Sequence, residues 1–364
     1  MSFIGWSIVA ASAWHPDRQV AIILLFSGRF LHGLADSLGV SPAISLVSEV
    51  TTVKMRGMFM NSATVAASSG IPLAYTIGSF YSWYWTAVIG AFFPLLGVLL
   101  LLSYVHYESP AFLWNQGRDR QSYVSLHWYR AGCSLEAVSN EFKSYEEPKP
   151  KTKQTNAFLR SFLKEETLKP FIIVMTLLGL VPLTGIMSVT FFAMELFEGL
   201  GFADSTVLVA VSAGTLRAIG SAMAGIIVVF KGRRFVLLSS CLGAIVAIEV
   251  TTAALIIREH VKDSLICDYI LIVSIPAYMF FLGVGMTPVP WILMGEWFLP
   301  ETRSKAGGIA SAMFFLSALV SLQVRLFPET EAFVLLSIHD FLFLLAHTGI
   351  FFHYTSFSFG KMIA

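Results

Sequence analysis

The stretch GRFLHGLADSLGVSPAISLVSEVTTVKMRGMFMN, residues 28–61, decides the fold of this chain. It contains an apolar run that is about long enough for one bilayer crossing and ends at Glu49. Arg56 follows seven residues later, and another apolar run begins there. This pattern predicts two membrane helices joined by a charged elbow. An apolar run that ends at Glu296, with Arg303 after the same interval, repeats it and predicts two related halves.

Composition places the chain in a membrane. Hydrophobic residues make up 56% of the 364 residues and charged residues only 13%, whereas a soluble domain of this length needs more polar surface. The net charge of +1, with the charges confined to loops, indicates no nucleic-acid partner. Cys133, Cys241 and Cys267 lack the spacing of metal ligands, so we predict neither a metal site nor a cofactor.

Apolar stretches predict an all-α polytopic membrane protein with about ten transmembrane helices. They lie at about 3–14, which is short, and at 20–48, 58–80, 84–106, 170–194, 205–230, 235–257, 267–294, 306–324 and 332–354. Between the fourth and fifth stretches lies a polar segment that holds ten Lys and Arg residues and cannot sit in lipid. We therefore predict an incomplete N-terminal bundle of four spans at 1–106, a linker at 107–169 and a six-helix bundle at 170–364.

The linker contains two amphipathic patches, YVSLHWYRAG and LEAVSNEFKSY, which predict short helices at the membrane surface. Lys and Arg are concentrated in the linker and in the loops on its side of the membrane. By the positive-inside rule, both elbows and the linker are cytoplasmic. An even number of spans then places both termini inside, in a multi-pass protein that we expect in the plasma membrane.

Four motifs resemble those of the sugar porter family of the major facilitator superfamily, in the family's order and spacing. They are the elbow stretch GRFLHGLADSLG with SEVTTVKMRG, then YESPAFLWNQGR, KGRRFVLL and TPVPWILMGEWF. The resemblance extends to the facilitated trehalose and hexose transporters and implies a two-bundle fold that works by alternating access. In this register the family's first two helices are missing.

The resemblance also implies a cytoplasmic gate of ion pairs that holds the outward-facing state. Each pair is partly desolvated only when the gate closes, so it can favour one state. Carried over to this sequence, the gate residues are Glu49, Arg56, Glu108, Arg233, Arg234, Glu296 and Arg303. The alternative is that these charges are solvated helix ends that follow the positive-inside rule.

The implied substrate cavity departs from the family pattern. Amide side chains that hold sugar hydroxyls in the family are replaced here by Thr64, Val181, Pro182, Met187 and Phe314, while Thr184 and Trp291 are retained. Losing these amides, each supporting about 1 kcal/mol of hydrogen bonding, weakens hexose binding at least about a hundredfold. We therefore expect an atypical apolar cavity, in which Trp291 either covers a substrate or packs between helices.

Arg29, His32 and Asp36 are spaced to share one face of a helix. Asp36 lies near mid-membrane, where a charge costs about 2.5–3.5 kcal/mol on insertion scales, so it requires a partner or water. One interpretation is a proton or substrate site in the first half. The other is a self-neutralising His32–Asp36 pair, or a protonated Asp36 packed between helices.

These observations predict a sugar-transporter-like carrier, facilitative or proton-coupled, whose partners are a sugar or less polar solute and the lipid bilayer. The alternative is a non-transporting or truncated copy that acts as a sensor or an assembly partner or is inactive. An enzyme is not expected. His339, Asp340 and His347 come closest to a catalytic group, but adjacent residues project about 100° apart on a helix.

Overall fold

The computed structural model describes residues 1–52, 55–146, 165–202, 205–261, 265–298 and 300–323. All regular structure in these ranges is helical, which confirms the predicted fold class. The predicted last span, 332–354, lies outside the described residues. Contacts divide the chain into two compact units, Met1–Arg56 with Tyr81–Lys164, and Gly57–Phe80 with Glu165–Ala364. The predicted domain boundaries at 106 and 169 stay a prediction.

The first unit contains three helices of the predicted first half and three short helices of the linker. They are α1 (Ser2–Ser12), α2 (Arg18–Val50), α4 (Trp83–Tyr104), α5 (Pro110–Asn115), α6 (Asp119–Tyr129) and α7 (Leu135–Glu146). Asp17 caps α2 by accepting the backbone N–H of Gln19 at 2.9 Å. The two amphipathic patches of the linker coincide with α6 and α7, so their predicted helical structure is confirmed.

Small residues let α1 approach its neighbours closely. A Cβ added at Gly5 would lie 2.9 Å from the carbonyl oxygen of Gly28 on α2. Val9, which also lies against Gly28, packs with Ala10 against Ala87 of α4. Close backbone approach through small residues is how membrane helices associate when burial from water supplies no driving force.

The second unit contains α3 (Arg56–Phe80) and all described helices after the linker. These are α8 (Glu165–Leu180), α9 (Ile186–Gly199), α10 (Thr206–His260), α11 (Leu265–Phe281), α12 (Pro288–Trp297) and α13 (Pro300–Gln323), with a 3-10 turn at Pro182–Thr184 and a π-helix at Leu282–Met286. Helix α10 has non-helical torsions at Gly232, φ 80° and ψ 165°. This kink confirms the predicted separation of two spans between residues 230 and 235.

Helix α3 packs its polar face against α10. The Asn61 side-chain amide donates to the carbonyl of Ser221 at 2.6 Å, and the hydroxyls of Ser68 and Ser221 lie 3.1 Å apart. Thr64 lies between Asn61 and Ser68 on the same buried face. The polar residues of α3 therefore point at another helix, where Asn61 and Ser68 contact Ser221, while Asn61 Oδ1 is buried without a partner among the described residues.

The π-helix between α11 and α12 is held against α10. Ser240 of α10 donates its hydroxyl to the carbonyl of Phe281 at 2.6 Å and accepts the N–H of Met286 at 3.0 Å. A Cβ at Gly283 would lie 2.4 Å from the carbonyl oxygen of Arg217, so only glycine fits there. These contacts fix the N-terminal end of α12, which carries Trp291 and Glu296.

Six helical segments in the described ranges are long and apolar enough to cross a membrane. They are Arg18–Val50, Trp83–Tyr104, Thr167–Gly199, Thr206–Arg258, Leu265–Trp297 and Lys305–Gln323. The segment Thr206–Arg258 has 53 residues, which is enough for two crossings, one on each side of its kink. Large apolar side chains point outward along them, such as Leu102, Leu208 and Phe230, each at least 70% exposed. The chain is a multi-pass membrane protein.

Candidate functional site: charged elbows and a buried arginine

The second elbow contains a bidentate ion pair. Arg233 donates Nε to Glu296 Oε2 at 3.0 Å and Nη2 to Glu296 Oε1 at 2.6 Å. The Glu296 side chain is 15% exposed and that of Arg233 is 35% exposed. Arg233 directly follows the kink glycine of α10, so the kink positions its guanidinium beside the end of α12. A two-point geometry of this kind is among the stronger pairings of a carboxylate.

The first residues of α3 lie against this ion pair. A Cβ added at Gly57 would lie 3.4 Å from Arg233 Nη2 and 3.5 Å from Glu296 Oε1. The absence of a side chain at Gly57 lets the amino end of α3 approach the carboxylate. Helix amino ends carry partial positive charge, so this end of α3 attracts a carboxylate electrostatically.

Two further arginines of the predicted gate are Arg303, which belongs to the second elbow, and Arg234, which follows Arg233 on α10. Arg303 is 7% exposed and donates Nε and Nη2 to the carbonyl oxygen of Phe298 at 3.3 and 3.1 Å. It therefore fastens the start of α13 to the residue after α12, while Glu296 pairs with Arg233. Arg234 is exposed on α10.

The first elbow uses its glutamate differently. Glu49 accepts hydrogen bonds from the hydroxyls of Ser45, at 3.2 Å, and of Ser109. Ser109 also caps α5, accepting the N–H of Phe112 at 3.3 Å. Arg56 Nε is buried and has no hydrogen-bond partner among the residues that the structure describes. Within those ranges, Glu49 is bound by hydroxyls of α2 and of the linker.

The linker helices pack around the carboxyl end of α2. Arg130 donates Nη1 to the carbonyl of Val50 at 2.5 Å and pairs with both carboxylate oxygens of Glu141, at 2.9 and 2.7 Å. The Arg130 side chain is 9% exposed. Since α2 ends at Val50, this arginine satisfies a terminal carbonyl that has no partner within the helix.

Glu108, the remaining predicted gate residue, has an exposed side chain, and its backbone carbonyl accepts the Ser125 hydroxyl at 2.5 Å. The neighbouring carbonyl of Tyr107 accepts the Tyr129 hydroxyl at 2.8 Å. Burial, and secondly the charge of Glu108, raise the pKa of Tyr129 above its ordinary value of 10.0. The charge of Glu108 therefore affects Tyr129 of α6, and its backbone carbonyl binds Ser125 of the same helix.

The residues of the predicted cavity include an aromatic contact. The rings of Trp291 on α12 and Phe314 on α13 meet edge to face, with centroids 5.1 Å apart. Thr184 is buried and donates its hydroxyl to the carbonyl of Val181 at 2.7 Å, while its own carbonyl accepts the hydroxyl of Tyr278. Met187 is partly buried on α9. These side chains offer apolar surface and few free hydrogen-bonding groups.

Sequence reasoning missed a buried arginine, Arg217, in the first segment of α10. It is 8% exposed, and its Nη1 donates to the hydroxyl oxygen of Thr190 at 2.9 Å. Its Nε is buried and lacks a hydrogen-bond partner in the described part of the chain. The sequence contained a signal for Arg217, because it is a charged residue within the apolar stretch 205–230. A charge at such a depth requires a partner or water, which is the argument that singled out Asp36.

The trio in the first unit is arranged around Trp6 of α1. His32 Nδ1 lies 3.1 Å from Asp36 Oδ2, and the His32 ring meets Trp6 edge-on at 4.8 Å. The Arg29 guanidinium lies over the same indole, 5.0 Å from its centroid. The Asp36 side chain is 51% exposed and that of His32 is 23% exposed. The structure thus brings His32 and Asp36 together and places Arg29 over the Trp6 indole.

A groove in the second unit lies between α10 and α11 and has a volume of about 860 Å³. Its lining is almost entirely apolar and includes Leu242, Val246, Ile270 and Val273. None of the predicted cavity residues contributes to it, and its exposed aliphatic side chains suit contact with lipid. Within the described ranges, no group of three or more His, Cys, Asp or Glu is arranged to hold a metal ion.

Residues 1–357 match the family described as Sugar (and other) transporter. Facilitated glucose transporter member 8 of solute carrier family 2 from Bos taurus is 26% identical over 307 residues, 79% of this chain and 61% of that protein. Facilitated trehalose transporter Tret1 from Aedes aegypti is 25% identical over 315 residues, 85% of this chain and 37% of that protein. The chain thus spans less than two thirds of the length of these relatives.

Among solved structures, the chain is similar to the major facilitator superfamily proton:xylose symporter XylE bound to 6-bromo-6-deoxy-D-glucose. The TM-score is 0.73 at 19% identity, covering 94% of this chain and 77% of that one. A double tryptophan mutant of XylE gives a TM-score of 0.76. This likeness establishes the major facilitator fold.

Proposed function

Because the chain belongs to the Sugar (and other) transporter family, we propose that it is a membrane carrier that moves a sugar or a less polar solute by alternating access. The observation that carries this proposal is the Arg233–Glu296 pair at the second elbow, with Gly57 of α3 against it. A partly buried pair that forms only when helix ends meet favours the closed state of a gate.

The gate has an identifiable energetic basis. Hydrogen bonds to charged groups contribute about 1.5–3 kcal/mol each, so a bidentate pair is strong enough to shift a two-state equilibrium at least about tenfold.

The Lys and Arg distribution favours a cytoplasmic position for both elbows, the linker and the termini, and we propose the plasma membrane as the location. The relatives' names supply the substrate class, a sugar, and this chain's apolar residues favour its less polar members.

The cavity residues support a substrate with fewer hydroxyls than glucose. Met187 and Phe314 present no hydrogen-bonding groups, and the hydroxyl of Thr184 already donates within its own turn. Phe314 also meets one edge of Trp291, so a bound sugar ring would meet two aromatic side chains instead of an amide. Aromatic faces favour the apolar faces of a solute over its hydroxyls.

The contact between His32 and Asp36 favours proton coupling as the mode of transport. Histidine and carboxylate side chains within a membrane are the residue types that form proton relays in transporters, and here they are in contact. Trp6 covers one edge of the His32 ring and holds the pair at the α1–α2 contact. In this proposal the pair is the proton site of the carrier.

The test is uptake into liposomes that contain the purified chain. We expect saturable uptake of 6-bromo-6-deoxy-D-glucose above that of empty vesicles, and uptake of glucose about fivefold weaker, because glucose brings one more hydroxyl into a cavity that lacks amides. An inward proton gradient should accelerate uptake by the wild type and not by Asp36→Asn. No saturable uptake of any sugar would instead support a sensor, an assembly partner or an inactive copy.

A further inference from the structure

Arg217 lies where a membrane protein rarely keeps a charge. It is the eleventh residue after Thr206, so it lies about 16 Å along α10 at 1.5 Å per residue. The hydrocarbon core of a bilayer is about 30 Å thick, which places Arg217 near its middle. At that depth an arginine costs about 2.5–3.5 kcal/mol on insertion scales, and such residues face a partner or a cavity.

The hydrogen bonds around Arg217 leave its charge unbalanced. A guanidinium has five N–H donors, and the one bond that the structure assigns goes to a neutral hydroxyl, that of Thr190. Its Nε is buried without a partner among the described residues. Among the described residues, no ion pair joins Arg217 to an acidic side chain.

The neighbouring hydroxyls have already used their protons. Thr190 donates its hydroxyl to the carbonyl of Ile186 at 2.6 Å while accepting from Arg217. Tyr75 of α3 donates its hydroxyl to the Thr190 carbonyl. Three helices, α3, α9 and α10, therefore converge on a positive charge that lacks an acidic counterpart in the described ranges. A group that completes this site must be a hydrogen-bond acceptor with negative charge.

Apolar surface adjoins the same point. Met187 precedes Thr190 by three residues on α9, so the two share a face of that helix. Met187 is partly buried and belongs to the predicted cavity. A ligand held by Arg217 through one end would place its remaining atoms beside this apolar side chain.

We propose that Arg217 anchors a small organic anion, a soluble carboxylate with an apolar or sugar body. The planar guanidinium binds a carboxylate at two points, which a neutral sugar hydroxyl cannot reproduce. A soluble anion is preferred over a lipid phosphate because headgroups lie at the bilayer surface and Arg217 lies near mid-depth. This inference rests on the proposed carrier function and adds to its substrates anions with an apolar or sugar body, such as sugar acids.

Binding to the purified chain in a non-ionic detergent tests the proposal without a gradient. Two matched pairs of probes differ in a carboxylate, glucuronate against glucose and benzoate against benzyl alcohol. We expect calorimetry to show that at least one anion binds about tenfold or more tightly than its neutral counterpart. Arg217→Gln should abolish this preference, and Arg217→Lys, which keeps the charge without the fork, should retain part of it.

The matched control is Arg120→Gln, which changes the net charge equally at an exposed position on α6 and should keep the preference. Equal binding of anions and neutral probes by the wild type, or no binding of either anion at millimolar concentration, would overturn the proposal. This readout needs no variant and holds even if Arg217→Gln fails to fold. Arg217-dependent binding of phosphatidylglycerol but not of the soluble anions would also overturn it. If the chain binds the anions preferentially but shows no uptake, the carrier function is contradicted and the anion site is not.

Discussion

The two charged elbows share the Glu-x6-Arg spacing but hold their glutamates by different means. Glu49 accepts hydrogen bonds from the hydroxyls of Ser45 and Ser109, whereas Glu296 forms a bidentate ion pair with Arg233. In both cases a decisive partner comes from outside the motif, from the linker in the first elbow and from the α10 kink in the second. The spacing marks the elbow, and the fold selects the partner.

The difference has an energetic consequence. Each hydrogen bond to the Glu49 carboxylate has one charged partner, whereas both partners are charged in the Arg233–Glu296 pair, whose two bonds form together. The second elbow therefore has the stronger contact and the larger capacity to favour one state of a gate. The first elbow is fastened to the linker helices by several weaker bonds and by the buried Arg130, which suits a structural joint.

The largest expected effect comes from breaking the Arg233–Glu296 pair. We predict that Glu296→Gln and Arg233→Met each raise cytoplasmic labelling of a cysteine at position 314 about tenfold or more, because the closed gate loses a charged bidentate contact. The assay uses a chain whose three native cysteines are replaced, since Cys133 is exposed. The double variant should label no faster than either single variant.

Arg303→Ala is the matched control for this cycle. Its guanidinium binds the Phe298 carbonyl, so its effect should be smaller and should add to that of Glu296→Gln. If Glu296→Gln and Arg233→Met label at the wild-type rate, the pair is an ordinary helix-end contact and the elbows do not differ as argued.

Much of the fold follows from local signals in the sequence. Hydrophobic length and polar punctuation predict the boundary at Val50 and Arg56 and the break at Gly232, because lipid permits only satisfied helices and charges interrupt them. The amphipathic patches predict α6 and α7 for the same kind of reason. These features depend on residues close together in the chain.

The partners at the site depend on distant residues, and there the sequence is less informative. Nothing in the spacing relates Ser109 to Glu49, sixty positions apart, or Tyr75 to Thr190. Arg217 carried a readable signal, a lone charge in an apolar stretch, but its hydroxyl neighbours come from two other helices of the fold. Long-range polar contacts are set by helix packing, which periodicity does not encode.

A smaller effect is expected at the first elbow. We predict that Ser109→Ala increases hydrogen exchange in α5 about fivefold, because the change removes both the bond to Glu49 and the cap on Phe112, together about 1 kcal/mol or more. Glu49→Gln should have a weaker effect, since its amide oxygen still accepts from the hydroxyl. Ser103→Ala, whose hydroxyl bonds within its own helix, is the control. An effect on cysteine labelling as large as that of Glu296→Gln would make the two elbows equivalent.

The smallest effect concerns Tyr129, which ties the linker helices together beside the first elbow. Burial and the charge of Glu108 raise the pKa of Tyr129 above 10.0, so the folded chain favours the neutral phenol. The raised pKa of Tyr129 therefore stabilises the folded chain fully below pH 10. This stabilisation is lost as the pH rises through 10 toward the folded pKa. Tyr129→Phe should remove this alkaline sensitivity and cost about 0.5–1 kcal/mol through the lost bond to Tyr107.

Because the chain has 11 tyrosines, the measurement is the ultraviolet titration of the wild type minus that of Tyr129→Phe. Glu108→Gln should lower the pKa of Tyr129 without restoring its ordinary value, since burial is the larger cause. A difference spectrum that titrates at or below pH 10 would show that the linker does not enclose this phenol and that the first elbow lacks the support described for it.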